Sequence, residues 1–313
     1  MKILKPYFWD NKNISFMAYL LIPLSIIIRW FVITKKYFGD KKYLNIRTIC
    51  VGNIYIGGTG KTPLTIKIAK NLNKKKKAVI VKKFYKNHLD EIDLIKKNFK
   101  LFSGPNRLES IKQATKKNYD IVILDDGLQD HTFHKDCEIV CVSANLGFGN
   151  KLTIPAGPLR EPINSLKRSN IVMINYQNKK QIKEVQNQII KINSEIKIFT
   201  SKYIINQKNI KNLKRKKFIA FAGIGNPDHF FYMLKKYKFD IKKQLTFPDH
   251  YSYSKNELQN LLAKAKKGKL NLITTEKDYY RIKHLKIKNI HYLPVILKID
   301  NEKKFFKEIE KFI

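Results

Sequence analysis

One segment constrains the fold of this chain more than any other: a short apolar run, a glycine-rich turn and a helix-like stretch follow one another between residues 47 and 72. The run Arg47–Val51 predicts a buried strand and Pro63–Leu72 a helix. The turn between them contains Gly57, Gly58, Thr59, Gly60, Lys61 and Thr62. In such a turn, backbone N–H groups hold phosphates, the lysine reaches the outer phosphates and the threonine hydroxyl binds Mg²⁺. Although Tyr55 occupies the usual first glycine position, the paired glycines permit close backbone approach. The segment therefore predicts a nucleotide site.

A second motif supplies the acidic group that such a nucleotide site needs. The apolar run Ile121–Leu124 is followed directly by Asp125, Asp126 and Gly127. Because two adjacent carboxylates repel each other without a partner cation, the pair indicates a metal-binding strand end. Helix-capping aspartates are the alternative interpretation.

Short apolar runs alternate with helical or loop stretches along the rest of the chain. Further strands are predicted at Ala78–Val81, Glu138–Val142, Asn170–Ile174, Phe218–Ala222, Asn271–Thr275 and His291–Leu297. Helices are predicted at Pro227–Tyr237 and Ser254–Lys266. Strands separated by helices imply a doubly wound, mainly parallel α/β sheet of the P-loop type, with a smaller C-terminal α/β domain. We place the boundary in the polar segment Asn206–Arg215, which gives a P-loop domain at residues 35–205 and a second domain at 206–313.

The N-terminal residues 1–34 contain the longest apolar stretch, Phe16–Ile33. Its 18 residues would reach about 27 Å as a helix, slightly less than a bilayer core, and Arg29 is unfavourable inside lipid. Lysines follow at positions 35, 36, 41 and 42. These features favour a helix lying in the cytoplasmic leaflet with its lysines on anionic headgroups. A buried core helix is the alternative.

The distribution of charge and the positions of the cysteines argue against two other classes of protein. The formal net charge is +38, but only seven of the 63 basic residues are Arg, and the lysines are spread along the whole chain. A nucleic-acid reader would concentrate Arg and aromatic residues on one face, so no nucleic-acid partner is expected. Cys50, Cys137 and Cys141 are odd in number and lie in or beside predicted strands, which indicates core residues in a reducing compartment rather than disulfides or a zinc site.

Several motifs together resemble the tetraacyldisaccharide 4′-kinase (lipid A 4′-kinase) family. They are the segments Val51–Asn53, Gly57–Pro63, Leu124–Gln129, Pro155–Pro162, Phe221–Pro227, Phe247–His250 and Thr274–Asp278, in family order. The resemblance implies an ATP- and Mg²⁺-dependent kinase that phosphorylates the 4′-hydroxyl of a lipid A disaccharide 1-phosphate. It also implies action at the cytoplasmic face of the bacterial inner membrane. No obligate protein partner is inferred.

The resemblance also assigns roles to individual residues. The family's catalytic aspartate aligns with Asp90 and its partner histidine with His250, and Lys61 acts on the phosphates. Metal-side roles fall on Thr62, Asp125, Asp126 and Glu161, and substrate-side roles on Arg107 and Glu91. A carboxylate that accepts the hydroxyl proton while a histidine orients it is a sound general-base pair.

The chain departs from the family around the aligned aspartate. The family's Ser-Arg-Gly-Tyr-Gly segment is Lys82–Lys86 here, the following loop is shorter, and Leu89 and Ile92 replace a glycine and a proline. This loop is therefore expected to follow a different course. The alternative function is a membrane-surface P-loop ATPase of the partition type, but members of that group have a lysine where this chain has Ile56.

Overall fold

The structure, a computed structural model, describes residues 5–11, 13–37, 41–205 and 210–313. The described chain forms two compact units. The larger unit comprises Lys5–Tyr85, Ile95–Lys202 and Leu297–Ile313, and the smaller unit comprises Lys86–Leu94 and Tyr203–Ile296. The chain thus passes twice into the smaller unit, whereas the sequence predicts one change of domain near residue 206. Part of the predicted boundary segment, residues 206–209, lies outside the described residues.

An eight-stranded sheet forms the centre of the larger unit, with the strand order β12-β7-β6-β5-β1-β4-β2-β3. The strands are β1 (Arg47–Gly52), β2 (Ala78–Lys83), β3 (Leu101–Gly104), β4 (Ile121–Asp125), β5 (Cys137–Ser143), β6 (Ile171–Asn175), β7 (Lys197–Ile205) and β12 (Val295–Ile299). The pairs from β7 across to β3 are parallel. Strands β1 and β4 are almost wholly buried, as expected for a parallel sheet covered on both faces.

The helices of the larger unit follow the strands in the alternating order that a parallel sheet requires. They are α1 (Phe16–Tyr37), α2 (Lys61–Leu72), α4 (Arg107–Lys116), α5 (Ile182–Ile192) and α9 (Glu302–Glu310), with α3 (Leu89–Asn98) beginning in the smaller unit. Cys50, Cys137 and Cys141 are free and buried in β1 and β5. Burial raises the pKa of the Cys50 and Cys141 thiols to about 12, so both stay protonated and serve as core residues.

Helix α1 contacts the larger unit through Ala18 and Ser25. Ala18 is fully buried against Phe8 and Trp9, and Ser25 lies 3.0 Å from the carbonyl oxygen of Thr153. Most of its large apolar side chains are exposed, Trp30 by 67% and others at positions 16, 17, 19, 20, 24, 26, 27, 28, 31 and 33. The helix is therefore not the buried core helix of the alternative interpretation. Within the described ranges, no helix combines the length and the apolarity needed to span a membrane.

A four-stranded parallel sheet forms the smaller unit, with the order β11-β10-β8-β9. Its strands are β8 (Lys217–Ala222), β9 (Asp240–Thr246), β10 (Asn271–Thr275) and β11 (Ile290–Leu293), and its helices are α6 (Pro227–Lys236), α7 (Lys255–Lys267) and α8 (Glu276–Ile282). Helix α7 begins with a capping box between Ser254 and Glu257, and the Thr275 side chain caps α8.

The predicted α/β fold with a mainly parallel sheet is confirmed, but one predicted strand is wrong. The run His291–Leu297 is divided at Pro294 into β11 and β12, which belong to different sheets. Proline has no N–H to donate to a ladder, so it ends one strand and frees the chain to enter another sheet. Strands β3, β7 and β9 have mixed or polar patterns and were not apparent from the sequence.

Candidate functional site

The glycine turn after β1 has a backbone conformation that requires glycine at two positions. Gly57 and Gly60 have φ angles of 103° and 92°, which side-chain-bearing residues rarely adopt. Gly60 is also the N-cap of α2, and among the described residues no side chain caps this helix end. The first N–H groups of α2 are therefore directed toward the turn without a side-chain partner, which suits an anion.

Two further observations fit a polyphosphate ligand. Thr59 is 2% exposed, yet its hydroxyl oxygen has no hydrogen-bond partner in the described part of the chain. The ammonium of Lys61, at the start of α2, lies 3.7 Å from the Asp126 carboxylate, at the outer limit of an ion pair. A buried hydroxyl without a partner and a loosely paired lysine both gain from an incoming anion.

Asp125 ends β4, fully buried, and is surrounded by donors. Thr62 and Thr65, both on α2, donate to its carboxylate at 3.1 Å each. Lys82, the next-to-last residue of the neighbouring strand β2, donates from Nζ at 2.7 Å. The sequence predicts Thr62 and Asp125 as partners, and the structure brings them together; it places Lys82 beside them.

Asp126 follows with a φ of 57°, in the left-handed region, and its carboxylate has a different partner from that of Asp125. Arg160 donates to both of its carboxylate oxygens, at 3.0 and 3.1 Å. Burial raises the pKa of Asp126, but the charges of Lys61, Arg160 and Lys82 outweigh burial and hold it well below its usual range. Asp126 is therefore a carboxylate throughout the neutral pH range.

Glu161 and Arg107 lie in ion pairs beside this group. Both oxygens of Glu161 accept from Arg168, at 2.7 and 2.9 Å, and Gln129 donates to one of them at 2.9 Å. Arg107 donates to the backbone carbonyl of Asp126 at 2.6 Å and pairs with Asp130 at 3.2 Å. In this structure Glu161 fixes Arg168, and Arg107 fixes the turn after β4. Metal or substrate contacts by either residue stay predictions.

In the smaller unit, Asp90 and His250 meet although they are distant in sequence. Asp90 is the second residue of α3 and is 1% exposed, and Nδ1 of His250 lies 3.5 Å from its Oδ1 atom. The other ring nitrogen, Nε2, lies 3.2 Å from the ammonium of Lys277. Because an ammonium only donates, Nε2 accepts, and the ring proton is assigned to Nδ1, facing Asp90.

Two cations from α8 complete the surroundings of Asp90. Arg281 donates to Oδ2 of Asp90 and also to Asp278, at 2.6 Å, while Lys277 lies 4.0 Å from Asp90. Asp278 is itself fixed by Thr275 and by the backbone N–H of Gly223. Burial raises the pKa of Asp90, but the facing His250 ring and the charges of Lys277 and Arg281 lower it well below its usual range. Asp90 is thus held ionised.

The donor atoms of His88, Glu91 and His250 lie within 4.8 Å of one another, a spacing that could hold a metal ion. However, the Lys277 ammonium lies 2.9 Å from Glu91 and 3.2 Å from His250. Burial lowers the pKa of Lys277, but Glu91, Asp249 and Asp90 together raise it above its usual value, so the lysine is charged. An ammonium therefore already provides the positive charge in this group.

Sequence reasoning assigns no role to Lys82, Arg160, Lys277 or Arg281. Lys277 lies in the Thr274–Asp278 motif, and Arg281 lies one helical turn further along α8. The motif could therefore have indicated both residues as candidates. The sequence signal at Lys82 is its position directly after the apolar run Ala78–Val81. The structure then pairs Lys82 in register with Asp125.

Comparisons with known proteins agree with one another. The family model described as tetraacyldisaccharide-1-P 4′-kinase (LpxK) matches residues 17–313. A tetraacyldisaccharide 4′-kinase of Pelagibacter ubique (strain HTCC1062) is 44% identical over 99% of this chain and 98% of the relative. One of Rickettsia typhi is 36% identical over 98% and 99%. LpxK from Aquifex aeolicus, solved in complex with ATP, has 23% identity and a TM-score of 0.71, covering 95% of this chain and 100% of that one, and shows the same fold.

Proposed function

The chain belongs to the tetraacyldisaccharide-1-phosphate 4′-kinase family, and we propose that it transfers the γ-phosphoryl group of ATP to the 4′-hydroxyl of a lipid A disaccharide 1-phosphate. The observation that carries the proposal is the glycine turn, with its uncapped α2 N-terminus and its adjacent Lys61, in a chain of this family. Family membership leaves the partition-type ATPase without support.

The larger unit would bind the nucleotide. The backbone N–H groups of the turn would hold the phosphates, helped by the Thr59 hydroxyl. Lys61 would neutralise the charge that develops on the transferred group, and this stabilisation is the main catalytic contribution in phosphoryl transfer. Gly57, Gly58 and Gly60 leave room for this approach because they have no side chains.

The same edge of the sheet fits a magnesium ion. Hydroxyl and carboxylate oxygens suit Mg²⁺, and Thr62 and Asp125 already lie in contact. We assign these two residues, together with Asp126 and Glu161, to the metal side. When bound, the ion would neutralise phosphate charge and orient the terminal phosphate. Asp126 and Glu161 would have to share their carboxylates with Arg160 and Arg168.

The smaller unit would supply the general base. Asp90 is ionised, and its oxygens are held by Arg281 and faced by His250, so it can accept the proton of a sugar hydroxyl as the phosphoryl group is transferred. With its proton on Nδ1, His250 orients this carboxylate. Glu91 would contact the acceptor sugar from the same helix turn, and Arg107 is the proposed substrate contact of the larger unit.

We also propose that α1 brings the enzyme to the membrane surface that holds its lipid substrate. An apolar helix face exposed to water is unfavourable, and burying it between acyl chains removes that cost. Lys41 and Lys42, exposed just beyond the helix, would add attraction to anionic headgroups. Replacing Trp30 and Phe31 with serine should lower binding to anionic vesicles about tenfold or more and raise KM for the lipid, but not for ATP.

The function is tested by incubating the purified protein with γ-labelled ATP, Mg²⁺ and the disaccharide 1-phosphate in detergent micelles. The expected result is label on the lipid in the wild type and none in Lys61→Ala. A parallel reaction with DNA instead of lipid measures stimulated ATP hydrolysis. Hydrolysis that depends on DNA, without lipid labelling, would contradict the proposal.

A further inference from the structure

A buried lysine lies directly on the carboxylate that the proposed function assigns to the metal. Asp125 is the last residue of β4, Lys82 is the next-to-last residue of the neighbouring strand β2, and the two are paired in register and are 0% and 2% exposed. The ammonium donates to Oδ2 of Asp125 at 2.7 Å. The next residue, Lys83, is less buried, so only one of two adjacent lysines is drawn into this site.

Stability alone does not account for this pair. Asp125 already accepts hydrogen bonds from Thr62 and Thr65, one on each oxygen. Taking both charges out of water costs about as much as their attraction returns, and replacement of buried ion pairs by apolar residues is often neutral. A buried lysine at the carboxyl edge of a parallel sheet, where ligands bind in such folds, therefore needs a functional reason.

The charges around the turn show what this reason is. The cations Lys61, Lys82 and Arg160 act on the carboxylates Asp125 and Asp126. Lys82 also lowers the pKa of Asp126, so its charge is felt by both carboxylates. The three cations exceed the two carboxylates by one positive charge, and this excess adjoins the uncapped end of α2. A polyphosphate anion is the ligand that balances it.

We propose that Lys82 is a second phosphate-binding lysine of the nucleotide site, acting from β2 opposite Lys61 on α2. The inference rests on the proposed function and adds a residue to it. Asp125 holds the ammonium at the sheet edge, and the phosphates of the nucleotide compete for it. Since ammonium–phosphate hydrogen bonds are charge-assisted, the exchange favours nucleotide binding.

The test is direct ATP binding by calorimetry, in EDTA so that no metal competes for Asp125. Lys82→Gln keeps a donor for Asp125 but removes the charge, and should weaken ATP binding about tenfold or more. The neighbouring Lys83→Gln is the matched control and should stay within about twofold. ATP affinity equal to or tighter than that of the wild type in Lys82→Gln would overturn the proposal, because Lys82 would then only neutralise Asp125.

Two further variants keep the result interpretable. If Lys82→Gln does not fold, Lys82→Gln/Asp125→Asn is compared with Asp125→Asn, because this pair leaves no buried carboxylate without its lysine. The double variant should again bind ATP about tenfold or more weakly than the single one. Lys61→Met distinguishes a failure of the proposed nucleotide site from a failure of the role proposed for Lys82. If it also binds ATP normally, the proposed nucleotide site fails; if only Lys61→Met loses affinity, Lys82 alone is excluded.

Discussion

Two buried carboxylates in this chain are held by cations, but their partners come from very different distances along the sequence. Asp125 meets Thr62, Thr65 and Lys82, which all lie on elements of one continuous α/β stretch. Asp90 meets His250, Lys277 and Arg281, about 160 to 190 residues away. We call these the nucleotide cluster and the base cluster.

The difference shows how each cluster depends on the fold. The nucleotide cluster follows from strand, turn and helix positions that parallel pairing brings to one edge of the sheet. The base cluster instead requires that Lys86–Leu94, distant in sequence, belongs to the same compact unit as Tyr203–Ile296. Substitutions in the nucleotide cluster should therefore change the binding of ATP and metal. Substitutions in the base cluster should change proton transfer and the packing of Lys86–Leu94.

The largest effect is expected at Lys61, the lysine of the glycine turn. Lys61→Met should lower kcat by about 10³-fold or more, since the charge developing on the transferred group loses its neutralising cation. The melting temperature should change far less than kcat, because Arg160 still donates to both carboxylate oxygens of Asp126 when Lys61 is replaced. Lys70→Met, an exposed position on the same helix, is the control and should retain normal turnover.

The base cluster is tested by Asp90→Asn and His250→Ala. Each should lower kcat by about 10²- to 10⁴-fold without changing ATP affinity, because a positioned base is lost. The double variant should be little worse than either single variant, since the two residues act as one unit. His284→Ala, an exposed histidine of the same unit, is the control. Wild-type kcat in Asp90→Asn would show that another carboxylate, such as Glu91, is the base.

The two clusters also differ in how much of each could be predicted from the sequence. Motif and strand pattern place Thr62, Asp125 and Asp126 together, because register follows from parallel strands ending at one edge. Alignment named Asp90 and His250, but their surroundings could not be predicted, since Arg281 reaches Asp90 only through the packing of α8. The prediction of one strand across Pro294 was wrong for a similar reason. Local apolarity does not determine which sheet a strand joins.

The effect of the Arg281 charge on the pKa of Asp90 can be measured directly. Arg281→Met removes a positive charge that lowers the pKa of Asp90, so the pKa rises and the acid limb of the kcat profile should move to higher pH. We expect kcat at neutral pH to fall about 10- to 100-fold, with partial recovery in Arg281→Lys, which keeps the charge but not the two-carboxylate bridge. The exposed Arg215→Met is the control. A lower kcat with an unmoved acid limb would indicate a purely structural role.

The same group makes stability depend on pH. The pKa of Asp90 is lower in the folded protein than the unfolded value of about 3.9. Its ion pairs therefore stabilise the fold fully above pH 4, and this contribution is lost as pH falls through the folded-state pKa. Chemical unfolding at pH 7 and near pH 3 should show a smaller loss for Asp90→Asn than for the wild type. An equal loss would mean that other carboxylates dominate acid unfolding.

The smallest effect defines where the base cluster ends. The hydroxyl of Tyr253 lies 3.4 Å from Asp278, a long hydrogen bond, whereas Asp278 bonds Arg281 at 2.6 Å and the Gly223 N–H at 3.0 Å. Tyr253→Phe keeps the ring packed against Phe221, so we expect a loss of less than about 1 kcal/mol in unfolding free energy and kcat within about twofold. Asp278→Ala leaves Arg281 without its anchor and should approach the effect of Arg281→Met. If Tyr253→Phe lowered kcat as strongly, the chain of contacts that holds Asp90 would have to extend through the aromatic core. The base would then depend on the packing of the whole smaller unit rather than on α8 alone.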